Sequence, residues 1–154
     1  MPQQFPFDQI DDLYRHVILD HHRNPRNTVK LNAPEVEYEE YNPICGDGVV
    51  LQLKLDSGRI HKAAFQGQGC SISQASASIL TESVLGKSLD EAEVLSRAFR
   101  QMMQGNAPSN EEPDGLGDLE ALQGVRKFPV RIKCALLAWA ALEEGIRDYR
   151  AANS

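Results

Sequence analysis

The spacing of apolar positions divides the chain into a helical opening, an alternating middle and a helical remainder. From Asp8 to Arg23, the residues Ile10, Leu13, Tyr14, Val17 and Ile18 recur at helical spacing, and Pro25 blocks any extension. Arg15 and Arg23, with His21 and His22, gather toward the C-terminal end, where they suit the negative pole of the helix dipole. The period then falls to two through "EVEYEEY", "GVVLQLKLD" and "RIHKAAF". Leu51, Leu53 and Leu55 alternate with Gln52 and Lys54, and Asp56-Ser57-Gly58 supplies a tight turn, so a three-stranded antiparallel meander is predicted. His61, alone in the third strand, reads as a surface or packed residue rather than a ligand.

Helical spacing returns after Gly67 and Gly69. "SISQASASILTESVL" sets Ile72, Ala75, Ile79 and Leu80 on one face, with Gly86 suited to the C′ position. Ser88 and Glu91 form a capping box that opens a helix to about Gln104, with Ala92, Leu95, Phe99 and Met102 inward and Gly105 ending it. The polar 105–117 stretch, containing "NAPSNEEPDGLG", reads as a surface loop, followed by a short helix at "DLEALQ". The last helix has Pro129 in its first turn and Val130, Cys134, Leu137, Ala141 and Ile146 on a shared face. This order of elements predicts an α+β domain: an N-terminal helix, a three-stranded antiparallel sheet, and helices packed on one face of it.

A length of 154 residues suits one domain, 1–154, with one core. The net charge of −6 argues against a nucleic-acid surface and favours a basic partner. No apolar run is long enough to span a bilayer, and "MPQQFPFDQIDD" lacks the basic and apolar regions of a signal peptide, so a cytoplasmic location with no membrane role is expected.

Cys45, Cys70 and Cys134 cannot all pair within one chain, and a reducing cytosol would keep them as thiols. Either they are three small hydrophobes or they serve metal or thiol chemistry. Each falls at an element boundary, and boundaries at one end of a sheet can converge. Asp47 stands two residues after Cys45, between Gly46 and Gly48, and in extended chain such residues point the same way. Three thiolates and one carboxylate would complete the tetrahedral shell that Zn²⁺ prefers, with the harder oxygen making the more exchangeable bond, as befits a reactive site. The usual zinc spacings are missing, since no C-x-x-C occurs, and Asp47 could equally be a turn-former beside glycine. The adjacent His21 and His22 make a poor chelate, because helical neighbours point about 100° apart. In "GQGCSISQAS", Gly67 and Gly69 permit a close backbone approach, and Ser71 or Ser73 can bond to the free amides of the first turn. The same helix terminus favours Cys70 as thiolate.

The strings "LYRHVILDHHRNPRN", "NPICGDG", "FQGQGCSISQASAS" and "GDLEALQGVRKFPVRIKC" resemble the SufU branch of the IscU/NifU N-terminal-like family of iron–sulfur assembly proteins, from about Leu13 to Gly145. The resemblance implies that Cys45, Asp47, Cys70 and Cys134 bind zinc. It further implies that Cys45 accepts persulfide sulfur from a SufS-type cysteine desulfurase, itself dependent on pyridoxal phosphate. A histidine of the desulfurase would take the place of Cys45 on the metal, and downstream Suf assembly machinery is a further candidate partner, with the final sulfur acceptor left open. Arg131, one helical turn before Cys134, matches an arginine characteristic of this branch and is assigned to the catalytic site. IscU scaffolds carry a histidine just before the third cysteine, where this chain has Lys133, and its longer segment between Cys70 and Cys134 is typical of SufU. The alternatives are a scaffold that assembles and delivers an iron–sulfur cluster on the three cysteines and Asp47, and an inert structural zinc module.

Overall fold

A computed structural model describes residues 12–43, 46–105 and 116–153. Helix α1 covers Asp12–Arg23, while residues 8–11, including Ile10, lie outside the described residues. Ile18 is buried and Tyr14 and Val17 pack partly against the core, but Leu13 is mostly exposed. His21, three residues beyond Ile18, takes the next inward position.

Strands β1 (Val36–Asn42), β2 (Asp47–Asp56) and β3 (Arg59–Gln68) form the expected antiparallel meander, in the order β1-β2-β3. Val36 and Tyr38 pair with Leu53 and Leu51, which pair in turn with Ala63 and Phe65. Alternation therefore gives one continuous inward row. The opposite face is polar, with His61 exposed on β3, and is crossed by the segment ahead of β1. Leu31 N donates to Gln52 Oε1 at 2.9 Å and Gln52 Nε2 to Glu37 Oε2 at 2.6 Å, so this central glutamine is buried but satisfied.

Helices α2 (Ser71–Ser83) and α4 (Pro129–Ala152) pack against the inward face and against each other. The single apolar face expected for α2 is corrected by the structure: Ser73, Ser76, Ala77, Ser78 and Thr81 are buried along with Ile72, Ala75, Ile79 and Leu80. The helix is surrounded by α1, α4 and β3, and its small side chains allow that close enclosure. Gly86 takes a left-handed φ of +82°, but two residues beyond the C-cap Val84 rather than at C′; its N–H donates to Ile60 O at 2.8 Å, fastening the turn to β3.

Helix α3 (Leu89–Met103) opens with the Ser88–Glu91 capping box and buries Ala92, Leu95, Phe99 and Met102. The 106–115 part of the expected loop lies outside the described residues, and the short helix after it is a 3-10 helix, Gly117–Val125. In α4, Cys134, Leu137, Ala141 and Ile146 are buried, but Val130 is 57% exposed, one turn before the first fully buried residue. Val130 and Ile146 do not share one face, since sixteen helical steps put them about 160° apart. Burial of Ala135, Ala138, Trp139 and Leu142 as well shows a helix enclosed on more than one side. No helix among the described residues is long and apolar enough to cross a membrane.

Candidate metal centre

Three elements meet at one end of the sheet. Asp47 begins β2, Cys70 is the N-cap of α2, and Cys134 lies in the second turn of α4. The ligand atoms of Asp47, Cys70 and Cys134 all lie within 4.8 Å of one another, and this is the one such cluster among the described residues. Bonds of about 2.0 Å to oxygen and 2.3 Å to sulfur would set tetrahedral zinc ligands roughly 3.3–3.8 Å apart, so the donors need only a small inward movement. The donor chemistry, two sulfurs and one carboxylate, fits zinc. Cys45, the expected fourth ligand, lies with Ile44 outside the described residues. The flanking residues are placed: Asn42 pairs with Asp47 across the hairpin, and Gly46 N donates to Asn42 O at 2.9 Å.

Glycines make room for this meeting. A Cβ on Gly67 would lie 2.4 Å from Gly48 O, so β3 can approach β2 here only without a side chain. Gly69, at φ +151°, is tighter in consequence: a Cβ there would lie 2.3 Å from Asp47 Oδ1. The space it leaves lets the buried Asp47 carboxylate accept from Cys70 N at 3.0 Å through Oδ1, with Oδ2 3.4 Å from Cys70 Sγ. The amide bond expected from Ser71 or Ser73 is not made. Ser73 Oγ donates instead to Cys70 O at 3.0 Å.

Electrostatics favour thiolate. A hydrogen bond with Cys134, aided by one from the Ser73 backbone, lowers the Cys70 thiol from 9.0 to about 6, against the opposing effects of burial and of the Asp47 carboxylate. Arg131 Nη1 stands 3.9 Å from Cys134 Sγ. Burial disfavours the Arg131 cation, but hydrogen bonding to Cys134 and the negative charge of Cys70 and Cys134 outweigh it and hold the guanidinium above its ordinary value.

The histidine pair is divided: His22 is exposed and His21 buried. His21 Nδ1 lies 2.8 Å from Ser78 Oγ, and Nε2 lies 3.2 Å from Asp118 Oδ2. Arg26 N also donates to Ser78 Oγ, at 2.9 Å. Ser, His and Asp are the residue types of a hydrolytic triad, but here the serine meets Nδ1 and the aspartate Nε2, the reverse of that arrangement, and Ser78 is fully buried. The array ties α2 to α1 and to the 3-10 helix. The serines of "SISQASAS" are the signal for such ties, but nothing in the sequence names their partners.

Known proteins resemble this chain along most of its length. Residues 13–154 match the model of the NifU-like N-terminal domain. The chain is 48% identical over 144 residues to the zinc-dependent sulfurtransferase SufU of Bacillus subtilis, covering 94% of this chain and 96% of that protein. It is 44% identical over 147 residues to the iron–sulfur cluster assembly scaffold protein IscU of Streptococcus pyogenes, covering 95% and 89%. Among solved structures, a candidate iron–sulfur cluster assembly scaffold protein for the SUF system from Fervidobacterium islandicum superposes with a TM-score of 0.80 at 30% identity, covering 92% of this chain and 98% of the other.

Proposed function

The chain belongs to the family of NifU-like N-terminal domains, in which its near relatives serve iron–sulfur cluster assembly, and from this premise we propose that it is a zinc-dependent sulfur acceptor working with a SufS-type cysteine desulfurase. The observation that carries the reading is the convergence of Asp47, Cys70 and Cys134 at the end of the sheet, beside the hairpin whose sequence contains Cys45. In this reading Cys45, Asp47, Cys70 and Cys134 hold the ion, and the single domain acts in the cytoplasm. Bound zinc would keep its thiolate ligands deprotonated near neutral pH. The chain's own groups do the rest. Asp47 is held by Cys70 N, Cys70 is fixed as an N-cap, and the Arg131 guanidinium faces Cys134 and favours the anionic form of the site.

Cys45 is the nucleophile. Its thiolate attacks the outer sulfur of the desulfurase persulfide; a new S–S bond forms to Cys45, the donor's S–S bond breaks, and the donor cysteine leaves as a thiolate. The transferred sulfur ends on Cys45 as a persulfide. An open groove of about 520 Å³ beside the site, lined in part by Tyr38, Tyr41, Pro43, Lys133 and Leu136, supports docking of a protein donor there.

Incubation with the desulfurase and sulfur-labelled cysteine, followed by mapping of the labelled thiol, tests the assignment. Label is expected on Cys45 and absent from Cys45→Ser. Label retained by that variant, or found on Cys70 or Cys134, refutes it. The similarity to cluster scaffolds supports a second reading, in which the same residues carry an iron–sulfur cluster. Colourless, anaerobically purified protein with one zinc favours transfer; brown protein with iron and acid-labile sulfide favours the scaffold.

A further inference from the structure

The two cysteines of the site that the structure describes sit on different helices, so their separation depends on how α2 and α4 are set against each other. One buried contact fixes that setting close to both. Ser76 Oγ donates to Ala135 O at 2.6 Å, and Trp139 Nε1 donates to Ser76 Oγ at 3.1 Å. Ala135 follows Cys134 directly, and Ser76 lies under two turns from Cys70. Ser76, Ala135 and Trp139 are all fully buried. The indole also packs against Phe99, with ring centroids 5.0 Å apart.

This short network is complete. The Ser76 hydroxyl gives one hydrogen bond and takes one, and the single indole donor is used. A carbonyl has two lone pairs, so Ala135 O can receive Ser76 as well as the ordinary α4 bond from four residues on. Loss of the hydroxyl would leave the Trp139 N–H without a partner in the core, and the helices would shift to relieve it. Such a shift acts on Cys134 through one peptide unit and on Cys70 through a stiff helix. Among the other buried hydroxyls of α2, Ser73 Oγ bonds within the first turn, to Cys70 O, Ser78 faces His21 and the Arg26 amide, and Thr81 Oγ1 donates to Ser78 O; none of these three joins α2 to α4.

We propose that Ser76, with Trp139 as its donor, is a positioning residue that sets Cys70 and Cys134 at metal-binding distance before the ion arrives. The proposal rests on the reading of Asp47, Cys70 and Cys134 as zinc ligands and extends it to a residue that touches none of their ligand atoms.

The test uses full-length protein, stripped with a chelator and retitrated with zinc against a chromophoric competitor. Wild type, Ser76→Ala and Ser78→Ala are compared, with thermal unfolding of each metal-free form. Both variants are expected to lose metal-free stability, but only Ser76→Ala should weaken zinc binding, by about tenfold or more, the size typical of groups that orient a ligand. An affinity within about twofold of wild type, or an equal loss in Ser78→Ala, overturns the proposal. If Ser76→Ala does not fold, Trp139→Phe decides: it removes the indole donor with part of the ring's bulk while keeping Ser76, and is expected to fold and bind zinc more weakly, whereas unchanged affinity overturns the inference. No desulfurase is present, so the result is independent of sulfur transfer. Wild-type protein that takes up no zinc refutes the metal reading itself, whereas zinc-binding wild type with an unaltered Ser76→Ala refutes only the positioning role.

Discussion

Gly69→Ala is the smallest change that should dismantle the site. A Cβ at this position would stand 2.3, 2.5 and 2.9 Å from Oδ1, Cγ and Cβ of Asp47, distances that no packed side chain tolerates. The carboxylate must swing away, giving up its hydrogen bond from Cys70 N, and alanine must also adopt φ +151°. A charge-assisted bond contributes about 1.5–3 kcal/mol and the strained backbone costs about 1–3 kcal/mol, so a loss of about 2.5–6 kcal/mol is expected. At roughly 2–4 °C per kcal/mol for a chain of this size, the melting temperature falls by about 5–25 °C. Thermal unfolding of metal-free protein measures this, and zinc titration should show a matching loss of affinity. Asp47→Ala supplies the control, because it removes the two worst contacts and the hydrogen bond together, leaving the one at 2.9 Å. In that background Gly69→Ala should cost less, giving a coupling of about 1.5–3 kcal/mol. Additivity within about 0.5 kcal/mol, or a single variant that melts and binds zinc like wild type, would refute the argument.

Ser88→Ala should destabilise the chain by about 1 kcal/mol in urea unfolding, the usual cost of an N-cap. Hydrogen bonding from the Ser88 backbone and then its side chain, with Arg59 nearby, holds Glu91 below its ordinary 4.5. Its folded pKa lies under the unfolded one, so its stabilising effect is complete above the ordinary glutamate range and is lost as pH falls through the folded value. Glu91→Gln should flatten that part of the pH–stability profile, and an unchanged slope between about pH 3 and 6 would contradict this. At the His21 array, His21→Ala should cost about 2–4 kcal/mol, because it empties a buried site and removes the ring that bridges Ser78 and Asp118. Asp118→Asn should cost under about 1 kcal/mol, since that carboxylate is 59% exposed. Equal losses would show that the bridge, not the buried ring, carries the stability.

What the sequence disclosed were features whose requirements are local. The Asp56-Ser57-Gly58 turn, the Ser88–Glu91 box and Pro129 in a first helical turn each need only a few neighbouring residues, and each is found where the pattern puts it. The gathering of Asp47, Cys70 and Cys134 was also legible, because strand and helix boundaries fall at one end of a meander. Side-chain partners were not. Ser76, Ser78 and His21 look like surface residues in a helical pattern, and only the enclosure of α2 by α1, α4 and β3 makes each a buried group that needs a partner. The same cause explains Val130, whose apolar side chain follows the pattern but lies ahead of the packed part of α4. Gly69 stands between these cases. Its place before Cys70 signalled close approach, yet the approaching atom belongs to Asp47, on the neighbouring strand. The small residues around Cys70 thus answer two separate demands: glycine ahead of it admits a ligand carboxylate, and serine after it binds one helix to the next. A thiol that only filled space would need neither, and the two demands can be separated experimentally, because Gly69→Ala should be rescued in part by Asp47→Ala, whereas Ser76→Ala should not.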